Sequence, residues 1–154
     1  MLLVYRQDGH GQWQLVKQIA YRTDPGMRVP EVAAYNEDSF LVEEASFSVT
    51  AGNAIELYAV TGLQHAPDVS GVTSLSLARA ADIVGKRLVS NVTDCPTLGA
   101  TSSEPQTNLL MGNYEGMAVT PSREHGRAAV SLISDDNFSA GQVTRVLNLA
   151  VRLP

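Results

Sequence analysis

Along most of this chain apolar side chains recur at every second position, the period of a strand with one buried face. Ala54 to Val60, reading AIELYAV, alternates most cleanly. Leu2 to Arg6 and Trp13 to Tyr21 are rich in β-formers, and Asp8-Gly9-His10-Gly11 between them is a hairpin turn. Thr23-Asp24-Pro25-Gly26 is a second turn. Further strands are expected over Glu31 to Tyr35, Phe40 to Glu44, Arg87 to Val92, Asn108 to Met111, Tyr114 to Thr120, Ala128 to Ile133 and Val143 to Leu153. Residues 61–85 form a polar insertion in which only Ser74 to Ile83 has the makings of a short helix. Residues 93–107, rich in Pro, Gly, Ser and Thr, read as a surface loop. The fold class expected is all-β, one segment over 1–154 with insertions at about 61–85 and 93–107.

The strands repeat. A Glu opens a strand at Glu31 and again at Glu115, and a hairpin follows each. The next strand ends in acids before a Phe-Ser step, at Glu43-Glu44-Ala45-Ser46-Phe47-Ser48 and at Ser134-Asp135-Asp136-Asn137-Phe138-Ser139. A repeated antiparallel unit of about 40 residues or more is the pattern of a β-propeller blade. On this reading the chain is a partial β-propeller of about two four-stranded antiparallel blades. Residues 1–21 supply two outer strands, 31–92 a whole blade and 114–153 three strands of another. A closed propeller needs about four to eight blades. The open edges are therefore expected to be covered by the remaining blades of a longer protein, or by a second copy in a homodimer.

Length and charge narrow the partners. The 154 residues suffice for one domain with a core, and 44% hydrophobic content is globular. A net charge of −5 with no basic patch excludes a nucleic-acid partner. No run approaches the ~18 apolar residues of a membrane span, and the N-terminus lacks a signal-peptide layout. Cys95 is the only cysteine, which excludes an intrachain disulfide and a cysteine-built zinc site.

The motif Asn113-Tyr114-Glu115-Gly116-Met117-Ala118-Val119, followed by Ser134-Asp135-Asp136-Asn137-Phe138-Ser139 and closed by Leu153-Pro154, resembles the phytase-like family described as having esterase-like activity of phytase. Phe40 to Ser48 with Asn53 and Ile55 to Tyr58 is similar to an earlier segment of that family, as are Asp24-Pro25 and Lys86-Arg87-Leu88. The resemblance implies a propeller, secreted or periplasmic in most relatives, whose acidic residues carry a phosphoesterase or esterase activity on a small-molecule ester or phosphate ester. Two departures stand out: the chain looks like only the C-terminal part of such a domain, and Glu44 stands where the family often has a basic residue.

Glu115, Asp135 and Asp136 are the candidate catalytic residues. With Asn137, Glu31 and Glu43 they are also the candidate ligands of a divalent cation, Ca²⁺ being the cofactor expected. Hard oxygen ligands suit calcium, which takes roughly six to eight of them. Carboxylates alone repel a phosphate ester, whereas a bridging metal reverses the sign and activates water. The competing reading is structural: Asp and Asn at strand ends accept backbone N–H bonds and cap turns. His10, His65 and His125 fall in turns or insertions, and no nucleophile elbow is present. Lys86, Arg87 and Arg145 are read as exposed strand cations, and Tyr5, Trp13, Phe47 and Tyr58 as blade-packing aromatics.

Overall fold

The computed structural model describes residues 1–122 and 126–154; His125 lies outside the described residues. Among the described residues the chain is all-β, with strands in three antiparallel sheets of two, four and three strands, linked by loops and short 3-10 turns. It divides into two compact units, residues 1–22 with 62–85, and residues 23–61 with 86–154.

In the first unit, β1 (Leu2–Gln7) and β2 (Trp13–Ile19) form the expected hairpin. Asp8 closes its turn by accepting the backbone N–H groups of His10 at 2.8 Å and Gln12 at 2.9 Å. Those bonds, the one from Gln12 foremost, hold the Asp8 carboxyl below the usual range. The insertion is tied to β2: Gln18 donates its N–H to Asp68 Oδ1 at 3.0 Å and accepts that of Val69 at 2.9 Å. Ser74 to Ile83 is not a helix but two 3-10 turns, Leu75–Leu77 and Ala80–Asp82. Neither has a side-chain cap, so nothing offsets the cost of nucleating a longer helix. Tyr5 and Trp13 are exposed, and so is Phe47 of the second unit; of the four aromatics expected to pack, only Tyr58 is buried.

The second unit holds β3 (Arg28–Asn36), β4 (Ser39–Ser48), β5 (Gly52–Thr61) and β6 (Arg87–Asn91) as one antiparallel meander. A second meander comprises β7 (Asn113–Pro121), β8 (Arg127–Asp135) and β9 (Val146–Arg152). Leu41, Ala45, Ile55 and Leu57 of the first sheet form one apolar core with Tyr114, Val130, Leu132 and Leu147 of the second. The alternation of β8, with Ala128, Val130, Leu132 and Ser134 buried and Ala129 and Ile133 exposed, is the period-two pattern realised. β3 lies against β7. Asn108 to Met111, expected as a strand, is a turn. Asn108 donates from its side chain to the carbonyls of Thr93 at 2.8 Å and Cys95 at 2.6 Å and accepts the N–H of Leu110 at 2.9 Å. Leu110 and Met111 are thereby buried in the core without entering a ladder.

β4 carries two adjacent carboxylates inward, Glu43 and Glu44, each with 0% exposure. Glu44 is satisfied. Its Oε1 accepts from Lys86 Nζ at 2.5 Å and its Oε2 from the Asp24 N–H at 2.8 Å. Lys86 also pairs with Asp24 Oδ1 at 2.9 Å and stands 3.9 Å over the Tyr58 ring. The Tyr58 hydroxyl offers its proton to Asp24 Oδ2 at 2.5 Å and Glu56 Oε2 at 2.8 Å. Burial first, then these acceptors, push the phenol up, while the Tyr58 bond holds Asp24 down. Lys86 is thus no free strand cation. Removing one partner of a buried pair leaves the other charged and unpaired, at a cost of about 3–5 kcal/mol. Lys86→Met is accordingly expected to lower unfolding free energy in urea by about 3 kcal/mol. Lys86→Met with Glu44→Leu should recover most of that loss; no recovery would show that the pair is not what the single change breaks.

Candidate functional site

Glu43 is the unsatisfied member of the pair. Side chains alternate along a strand, so it lies on the face of Leu41 and Ala45, opposite to that of Glu44. It is wholly buried, and neither of its oxygens has a hydrogen-bond partner among the described residues. Burial foremost, then the charges of Glu31 and Glu115, push its carboxyl up to about 8, against the opposing pull of Arg28. At neutral pH Glu43 is therefore a protonated carboxylic acid.

Its surroundings come from two strands, β3 and β7. Glu31 of β3 is its direct cross-strand partner and accepts the N–H of Val32 at 2.8 Å. Arg28, at the start of β3, donates to Asn113 Oδ1 at 2.8 Å and pairs with Glu115 Oε1 at 3.8 Å. Glu115 sits in the register shift of β7 between Tyr114 and Gly116, where a bulge re-aims side chains. The Arg28 and Glu115 side chains are each about half exposed, so the ion pair is the wet rim of a centre whose floor is Glu43. Tyr114 is fully buried next to it and donates to the Leu110 carbonyl at 3.0 Å; burial raises its phenol against the opposing pull of Arg145. The sequence pointed to Glu31, Glu43 and Glu115 but not to Arg28, whose role depends on a partner 85 positions away.

Asp135, Asp136 and Asn137 stand elsewhere in the hydrogen-bond network. Asp135 Oδ1 accepts the Asn137 N–H at 3.1 Å and Asp136 Oδ1 the Phe138 N–H at 3.0 Å. Asn137 and Phe138 take positive φ angles of 49° and 56°, and the Asn137 side chain donates to Gln142 Oε1 at 3.0 Å. Both acids act as acceptors within a turn. Asp135 does face Asn113 in the β7–β8 register, at the strand end that also bears Glu115. Among the described residues no three His, Cys, Asp or Glu side chains gather closely enough to hold a metal ion. The six oxygen ligands expected for calcium thus fall into two sets, the glutamates around Arg28 and the turn acids. His10 and His65 are exposed and belong to the first unit, whereas both sets belong to the second. Arg145, expected as an exposed cation, is a strut: its guanidinium donates to the carbonyls of Leu110 at 2.7 Å, Leu109 at 3.0 Å and Thr101 at 3.2 Å.

Comparison with curated proteins finds no match, and comparison with solved structures finds none. The family model for phytase-like proteins, described as esterase-like activity of phytase, matches residues 1–138 of the 154. The chain belongs to the phytase-like family.

Proposed function

We propose that this chain supplies an acidic centre for ester hydrolysis, acting on a small-molecule ester or phosphate ester, within a domain built of propeller blades. The observation that carries the reading is Glu43, a buried carboxylate with no hydrogen-bond partner among the described residues, beside Glu31, Glu115 and Arg28. Titratable groups perturbed in this way, next to opposed charges at an accessible rim, are the usual makings of a reactive site. The roles follow from exposure. Arg28 binds and stabilises the oxyanion that develops on the attacked carbonyl or phosphoryl group. Glu115, beside it, accepts the proton of the attacking water. Glu43 sets the charge of the centre: protonated, it adds no negative charge against an anionic ester; ionised, it does. Asp135 and Asp136 flank this rim from the end of β8.

The blade reading is supported by the two meanders, by the apolar core between them, and by β3 lying against β7 as the inner strands of neighbouring blades do. The outer face of the β7–β9 sheet, where Ile133 and Val146 are exposed, is where a further blade or a second copy would pack. Secretion or a periplasmic location belongs to the same reading through the family. A non-catalytic binding module is the rival, and one observation favours it: Asp135 and Asp136 serve as turn acceptors.

Release of p-nitrophenol from its acetate and phosphate esters tests the proposal. Glu115→Gln and Arg28→Met are expected each to lower the rate by about a hundredfold, in the range of a lost base or oxyanion donor. The wild-type rate should fall as pH passes about 8, and Glu43→Gln should abolish that fall. Hydrolysis equal to buffer, or unaffected by Glu115→Gln, would sink the reading.

The same residue makes a stability prediction that needs no substrate. An unfolded Glu ionises near 4.5, whereas the folded one holds its proton to about 8. The folded state therefore binds more protons between those values, and stability falls as pH rises through the window, by up to about 1.4 kcal/mol per pH unit. Glu43→Gln is expected to match wild type near pH 4 and to exceed it at pH 8 in urea midpoints. Equal midpoints at both pH values would mean that Glu43 ionises normally.

Calcium is tested by melting. A ligand of the folded state at a hundred times its dissociation constant adds roughly 2.7 kcal/mol. With no three acidic side chains gathered to hold an ion among the described residues, added calcium is expected to leave Tm unchanged; a rise lost in Asp135→Asn/Asp136→Asn would assign the ion to the turn acids.

A further inference from the structure

A cavity opens between residues 101–106, the start of β7 and residues 141–145, within the second unit. Its chemistry can be read from the bonds its side chains have already made. Gln106 Oε1 accepts the backbone N–H of Asn53 at 2.8 Å. Asn113 Oδ1 accepts from the Arg28 guanidinium at 2.8 Å. Neither partner can accept, so both carboxamides are fixed with the oxygen committed and the NH₂ group left over. Gln142 Oε1 meets the Asn137 amide at 3.0 Å, a pairing that two carboxamides can make in either sense. Two carboxamides with a committed oxygen and an uncommitted NH₂ group, and a third able to present either atom, therefore line one cavity.

The opposite need is met by Glu104. Its carboxylate lies over Gly141, where a Cβ would stand 2.9 Å from Oε1, so the absence of a side chain at 141 leaves room for it. The cavity's one guanidinium, Arg145, gives three of its five N–H groups to backbone carbonyls. Among the described lining residues its single positive charge is matched by the single negative charge of Glu104, so the cavity offers no net positive charge to a dianion. A hydroxyl both accepts and donates, and neighbouring hydroxyls can take an amide proton and give one to a carboxylate.

We propose that this cavity binds a neutral, hydroxyl-rich ligand, a sugar or polyol, through the amide groups of Gln106, Asn113 and Gln142 and the carboxylate of Glu104. The inference stands apart from ester hydrolysis, since it uses neither Glu43 nor Glu115.

The test is titration of the full chain with D-glucose and with sorbitol, followed by the side-chain amide signals in NMR, with inorganic phosphate as the contrasting probe. Saturable shifts of the Gln106, Asn113 and Gln142 amides with at least one of the two polyols, and none with phosphate, are expected. Gln106→Glu keeps the acceptor for Asn53 and hence the local fold, but replaces the donor with a second charge. It should weaken binding by about tenfold or more, the worth of one good hydrogen bond. Glu104→Gln, which cannot disturb the Asn53 bond, should do the same. No saturable shift with either polyol, equal binding by both variants with unchanged melting, or phosphate binding in the polyols' place would overturn the proposal.

Discussion

Two glutamates side by side in β4, both withdrawn from water, govern the second unit. A strand sends neighbouring side chains to opposite faces, so one sequence step gives each face a buried carboxylate. Burial of a charge is tolerated only with partners, or by giving the charge up. Glu44 takes the first course and Glu43 the second. The partners of Glu44 fix the start of β6 through Lys86 and the turn before β3 through Asp24, so satisfying one carboxylate also ties both outer strands of the sheet to its middle. On the other face, the proton of Glu43 keeps three glutamates beside one arginine from becoming a repulsive cluster.

What the sequence made legible was local. Alternation and runs of β-forming residues placed β1 to β9 within a few residues, and Asp8 marked its turn through bonds two to four positions long. Asp135 and Asp136 were legible in the same way, and here the structural of their two readings matches the bonds they make. The misreading at Asn108 to Met111 has a physical cause: burial there comes from a side-chain-built turn, and an apolar run is no measure of ladder pairing. Partners far along the chain were invisible. Nothing local ties Lys86 to Glu44, Arg145 to the Leu110 carbonyl, or Arg28 to Asn113, and these bonds decide which cations are free.

The position of the acidic centre is itself an argument for its being more than packing. Its two rim charges both stand at breaks in strand register. Arg28 lies beyond a shift that contains Pro30, which cannot donate to a ladder, and Glu115 lies in the shift between Tyr114 and Gly116. At Gly116 a Cβ would fall against the Ile133 side chain, so the glycine leaves room for that side chain of β8. Such irregularities weaken a sheet and re-aim the side chains beside them, and they gather next to active sites. A fold needing Glu31, Glu43 and Glu115 only as fillers could have used regular strands with apolar residues at all three positions, at no desolvation cost. Keeping the acid buried, the bulge and the guanidinium together is intelligible if the centre's charge has work to do on a ligand at the rim.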